Sequence, residues 1–240
     1  MKALVLLAYY ERPVMVKGAL ESLRRQPEGS WRAVMVDDGS KAHGQAVVEA
    51  EFSDLLPNFS FVRIEDSISR KVWQGGSRHP HYINEAILAA KEDLVVILCD
   101  DDALVPGILD PLLRWHAAWP AQKWSYGHVS VYDPGRESVP WMENHEPRRL
   151  DFHLNRRTDP ILPAYIVDSS QVVFTRSAFT EETMFPPVNT KNCDAAIFEA
   201  MGKKWGRCPF NGLVLQMKGI HKKQMGRVKE TAIYTETRET

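Results

Sequence analysis

No apolar stretch in this 240-residue chain approaches the roughly 18 residues that a membrane-spanning helix requires. The start, Met1-Lys2 followed by Ala3–Ala8, runs straight into Tyr9-Tyr10-Glu11-Arg12 and is too short for a secretory leader. These absences point to a soluble, cytoplasmic protein with no integral membrane segment, unless a partner holds it at a membrane. Cysteine is scarce: Cys99, Cys193 and Cys208 are odd in number and widely spaced. They form neither a disulfide framework nor a Cys-x-x-Cys metal site, and read as reduced thiols. An excess of charge of one sign is also missing. Lys and Arg total 30 against 31 Asp and Glu, so no global field draws a polyanion, and any basic function is local. Internal repeats and clear linkers are absent as well, which favours one domain over residues 1–240.

What is present is organised around Leu94–Pro106. Leu94-Val95-Val96-Ile97-Leu98 is a short apolar run rich in β-branched residues, the pattern of a strand buried on both faces in a parallel sheet. Cys99 and then Asp100, Asp101 and Asp102 follow at its carboxyl end, where open α/β sheets bind ligands. Three adjacent carboxylates repel one another, and a hard divalent cation, magnesium or manganese, relieves that repulsion. A solvated acidic turn capping the next helix is the bland reading of the triplet, and the remainder of the chain argues against it.

Ala3–Ala8 reads as a first buried strand, followed by a helix from Pro13 to Arg25. Trp31–Val36 is a second strand, delivering Asp37-Asp38-Gly39-Ser40. Short loops make this a βαβ unit with a parallel pair. Carboxylates at that strand end can accept from ribose hydroxyls or a base N–H. One of them can instead cap the helix expected over His43–Phe52, and both roles can coexist. Phe59–Ile64 is a third strand, Glu65–His81 a polar loop with Gly75-Gly76-Ser77-Arg78, and Tyr82–Lys91 a helix leading into the Leu94–Cys99 strand. His79 and His81 have no third ligand nearby and read as loop or phosphate contacts rather than a metal pair.

Beyond Pro106-Gly107 the pattern predicts a helix over Ile108–Ala118, a strand over Trp124–Tyr132, a strand over Tyr165–Thr175, a helix over Asp194–Met201 and a final strand over Leu213–Ile220. Asp133–Pro163 carries five prolines and the pairs Arg148-Arg149 and Arg156-Arg157. An irregular segment of that length is usually a lid or binding loop. With Lys218, Lys222, Lys223, Arg227 and Lys229, these basic residues could line an anionic groove, and Trp124, Trp141 and Tyr165 could stack a sugar or a base. The tail from Glu230 to Thr240 is polar.

At this point several motifs in order resemble those of a family. LLAYYERP, VMVDDGS, the block GGSRHPHYINEAILAAKEDLVVILCDDDALVPG, and the later DSSQVVFTRSAF and NCDAAIFEAM stretches resemble a family-2 glycosyltransferase. The likeness is best over residues 1–110 and patchier to about 221. Cys99 stands where many members carry the first Asp of Asp-x-Asp, a departure similar to that of bacterial spore-coat polysaccharide glycosyltransferases. Glu11 stands where Asn is usual, and Arg78 is the candidate for an arginine missing from the His81–Asn84 stretch.

The resemblance implies an α/β fold of GT-A type. Its Rossmann-like, mostly parallel central sheet is flanked by helices and carries an acceptor-side extension. A nucleotide-sugar half (1–110), an acceptor half (111–229) and a polar tail (230–240) follow. It implies a nucleotide-diphosphate sugar donor, most often UDP-linked, and transfer with inversion, assisted by Mn2+ or Mg2+. Ala8, Tyr10, Arg12, Asp37, Asp38, Arg78, Asn84 and Asp100 become the expected donor-binding residues, with Arg78 as a bidentate phosphate clamp. Asp101 is the expected metal ligand, with Asp102 and His221 beside it. Asp194 is the expected general base. The acceptor is expected to be a glycan or another hydroxyl carrier. A hydroxylated base in modified DNA is the less ordinary choice. A sugar nucleotidyltransferase is disfavoured, since AYYERP lacks the Gly-rich, Arg-bearing loop such enzymes place after the first strand. A non-catalytic nucleotide-sugar or glycan-binding module stays open because of Cys99.

Overall fold

The computed structural model of the chain describes residues 1–64, 79–132, 169–185 and 193–219. Strands β1 (Ala3–Tyr9), β2 (Trp31–Asp37), β3 (Phe59–Arg63) and β4 (Leu94–Cys99) lie parallel in the order β3-β2-β1-β4. Helices α1 (Val16–Arg24), α2 (Gly44–Glu51) and α3 (His79–Ala89) connect or precede them. The apolar runs form β1, β2 and β4 because both faces of these strands are covered. Along β1, Ala3, Val5, Leu7 and Tyr9 enter one core and Leu4 and Leu6 the other. β4 repeats this, with Leu94, Val96 and Leu98 on one side and Val95 and Ile97 on the opposite side. A two-residue period feeding two cores is the signature of a sheet sandwiched by helices. Each fully buried Val, Leu or Ile contributes about 1.5–3 kcal/mol to holding it there.

The rest of the sheet is mixed. β7 (Val172–Thr175) runs antiparallel to β4 and to β6 (Trp124–Tyr132), while β8 (Phe210–Gly219) runs parallel to β6. β5 (Ala103–Leu104) closes the edge against Met217 and Gln216. α4 (Leu109–Ala118) joins the first core, and α5 (Cys193–Trp205) buries Ile197, Phe198 and Met201 in the second.

Several expected boundaries move. α3 starts at His79 rather than Tyr82, α5 continues to Trp205, and β8 begins at Phe210. β7 begins only at Val172, because Ser169–Gln171 forms a 3-10 turn. β5 had no sequence signal, being two residues long. Trp124 is corrected outright as an acceptor-stacking residue. It is fully buried, with Phe174 and Phe198 against its ring. Cys99 and Cys208 are not in disulfides, and Cys208 is buried. Among the described residues no helix is long and apolar enough to cross a membrane.

Candidate functional site

The chain steps outward from β1 to β2 and β3, then returns to place β4 on the other side of β1. The carboxyl ends of β1 and β4 therefore flank a topological switch point, where diverging loops open a crevice. β4 is freed further because β7 pairs only with Leu94, Val95 and Val96. The Ile97 carbonyl beyond that pairing accepts from Nε2 of Gln216 at 2.6 Å instead.

The acidic turn sits on this opening, with Asp100, Asp101 and Asp102 all buried. Asp100 accepts from the backbone N–H of Tyr10 at 2.8 Å through Oδ2 and from Nη1 of Arg12 at 2.8 Å through Oδ1. The same Nη1 donates to Oδ2 of Asp101 at 3.0 Å. Oδ1 of Asp102 accepts from the N–H of Gly219, at the end of β8, at 2.9 Å. Burial pushes the Asp100 carboxyl up to about 6 against the opposing pull of Arg12. Burial acts against the charge of Arg12 too, yet Asp100 and Asp101 together hold its pKa above the usual value.

The neighbouring loops are locked to one another. Glu11 adopts a left-handed φ of 50°, a region where Asn is far easier to accommodate than Glu. The conformation is held by its N–H donating to Ser40 Oγ at 3.0 Å and its carboxylate accepting from Lys41 N–H at 2.7 Å. Tyr9 is buried, donates its hydroxyl to the Ala42 carbonyl, and is pushed up to about 12 by that burial and by Asp37. The close approach of α2 leaves no room at Gly44, where a Cβ would meet the Met35 sulfur at 2.5 Å and the Tyr9 ring at 2.8 Å.

Among the expected donor-binding residues, Ala8, Tyr10, Arg12, Asp38 and Asp100 gather at this edge, with Tyr10 exposed and Asp38 half-buried. Two others carry a structural load. Asp37 spends Oδ1 on Ser40 N–H at 2.8 Å and Oδ2 on Gly44 N–H at 3.0 Å, so of the two aspartates it takes the helix-capping role. Asn84 holds the backbone of Phe185 through both ends of its amide. Arg78 and His221 lie outside the described residues, as do Arg148, Arg149, Arg156, Arg157, Trp141 and Tyr165.

Asp194 is half-buried in the first turn of α5. The far end of that helix is tied down by Trp205, whose Nε1 donates to the Ala178 carbonyl at 2.8 Å. Ala178 follows Thr175, which pairs with Leu94 at the start of β4. Ser40 and Gly219 are contact residues that the sequence marks only faintly. Ser40 ends a turn motif and Gly219 lies two residues before His221, the only signals either had.

One ligand atom each from Cys99, Asp101 and Asp102 lies within 4.8 Å of the others. Two carboxylates suit a hard divalent ion, while a thiol is softer than magnesium or manganese prefers. The donor set therefore fits such an ion through Asp101 and Asp102.

Sequence comparison decides the family. The model described as "Glycosyl transferase family 2" matches residues 4–180. The chain belongs to that family. No curated protein matches it significantly. Among solved structures, the fold recurs in S. aureus TarS, at TM-score 0.65 and 16% identity, covering 92% of this chain and 37% of that one. TarS 1-349 in complex with UDP-GlcNAc superposes at 0.67 and 16% identity, covering 93% and 60%. The mannosyltransferase PcManGT from Pyrobaculum calidifontis, in complex with GDP-Man and Mn2+, superposes at 0.58 and 16% identity, covering 92% and 58%. These likenesses support the GT-A fold. The chain spans less than two thirds of the length of each.

Proposed function

We propose that this family 2 member transfers a sugar from a nucleotide-diphosphate sugar, UDP-linked, to an acceptor hydroxyl with inversion at the anomeric carbon. The observation that carries the reading is the meeting of Arg12 with Asp100 and Asp101 at the β1/β4 switch point. Solved relatives in complex with UDP-GlcNAc, or with GDP-Man and Mn2+, support the donor class. Residues 1–110 form the donor half and 111–229 the acceptor half.

In this reading Ala8, Tyr10 and Asp38 hold the nucleoside and Arg78 clamps the diphosphate. Asp101 and Asp102, with His221 as a third candidate, would hold a divalent ion that neutralises charge on the departing diphosphate. The Gly219 N–H bond to Asp102 supports His221, since it brings the chain to the acidic turn two residues earlier. Asp194 takes the proton of the acceptor hydroxyl as that oxygen attacks, on the face opposite the leaving group. Its place at a helix start favours the ionised form that a base needs. The acceptor is a glycan. A hydroxylated DNA base is the second class, supported by the basic residues of 148–157 and 222–229.

The test is a screen of UDP- and GDP-sugars with purified protein and manganese, with and without chelator. Acceptors include oligosaccharides and hydroxymethylated DNA. Metal-dependent release of the nucleoside diphosphate supports the reading. Donor binding with neither hydrolysis nor transfer assigns the protein to the non-catalytic class instead.

A further inference from the structure

The carboxylate proposed to hold the metal already has a cation on it. Arg12 Nη1 lies 3.0 Å from Asp101 Oδ2 and 2.8 Å from Asp100 Oδ1, and the guanidinium side chain is only a quarter exposed. The arginine is not a loose surface group that drifts onto an acidic patch. Its loop is fixed by the bond from Tyr10 N–H to Asp100 and by the tie from Glu11 N–H to Ser40. The carboxylates are fixed in turn by the tight turn in which Asp102 N–H donates to the Cys99 carbonyl at 3.1 Å. Both partners are held, so the pair loses little side-chain freedom on forming, unlike an exposed ion pair.

One guanidinium thus meets two of the three neighbouring carboxyl groups. A free ion approaching Asp101 meets a fixed positive charge on the same carboxylate, and at this separation and burial the repulsion is large. A donor diphosphate brings negative charge that screens it. We infer that Arg12 is a positioning residue that keeps the acidic turn from binding a divalent ion alone and couples ion binding to arrival of the nucleotide. The inference rests on the glycosyltransferase reading and specifies the order in which its site is filled.

The experiment is Mn2+ binding followed by electron paramagnetic resonance at pH 8, with and without UDP or GDP. It uses wild type, Arg12→Met and Arg12→Lys, with thermal melting to confirm folding. Wild type is expected to bind Mn2+ weakly alone and far more tightly with a nucleoside diphosphate. Arg12→Met should bind Mn2+ alone roughly tenfold or more tighter than wild type, and the gain from nucleotide should shrink. Arg12→Lys, which keeps the charge, should stay close to wild type, an outcome that a merely structural role does not produce. Equal or weaker binding of Mn2+ alone by folded Arg12→Met overturns the inference. Absence of nucleotide binding by all three proteins overturns the donor reading itself, and that result is distinct from the first.

Discussion

Asn84 grips the backbone of Phe185 at both ends of one amide. Nδ2 donates to the carbonyl at 2.8 Å and Oδ1 accepts the N–H at 2.9 Å, across 101 residues of chain. The pair fastens α3, which precedes the acidic strand, to the segment that leads toward α5 and Asp194.

Asn84→Ala should accordingly destabilise the protein by about 1–3 kcal/mol, from two part-buried hydrogen bonds and the backbone groups left behind. Denaturant unfolding measures the loss, and titration with UDP measures the donor. Lowered stability with donor affinity unchanged is the expected pairing. A selective loss of donor affinity at unchanged stability would instead assign Asn84 a donor-binding role.

Asp101→Asn is expected to abolish transfer and metal-dependent donor binding while the fold holds, because Asp100 retains both Arg12 and the Tyr10 N–H. Melting temperature and Mn2+-dependent UDP binding are the two readouts. Activity that survives in chelator sinks the metal assignment.

Asp194→Asn should lower turnover by orders of magnitude with donor affinity nearly intact, since a base acts mainly in the transition state. Steady-state kinetics on the donor and acceptor identified by the screen separate the two effects. Near-normal turnover transfers the role to another carboxylate, with Asp168 and Asp133 next to be replaced.

His116 sets a pH limit on stability. It is almost fully buried, its Nε2 meets Ser125 Oγ at 3.1 Å, and burial lowers its pKa from 6.5 to about 4. The folded state therefore binds this proton less readily than the unfolded chain. The stability it contributes is complete above pH 6.5 and is lost as the pH falls toward 4, about 3 kcal/mol over that window. His116→Leu should flatten the acid limb of the stability curve, because Asn211 Nδ2 still donates to Ser125 Oγ. An unchanged slope between pH 6.5 and 4 in the variant would falsify this account.

The buried strands and the acidic turn were legible in the sequence for a local reason. A short β-branched run buried on both faces looks the same wherever it sits, and Asp100–Asp102 follow the β4 run directly. The gathering of Tyr10, Arg12 and Asp38 with them follows from the βαβ pattern, which sends successive strand ends to one edge. Tertiary structure decided what each group does there. Which cation meets Asp100 and Asp101 depends on β1 lying beside β4, which brings Arg12 to Asp100 from 88 residues away. That Asp37 caps α2, that Asn84 is a tether and that Trp124 is core are also outcomes of long-range packing. A polar or aromatic side chain carries no mark of its partner until neighbouring elements close over it, and the energy of satisfying a buried donor or acceptor then dictates its role.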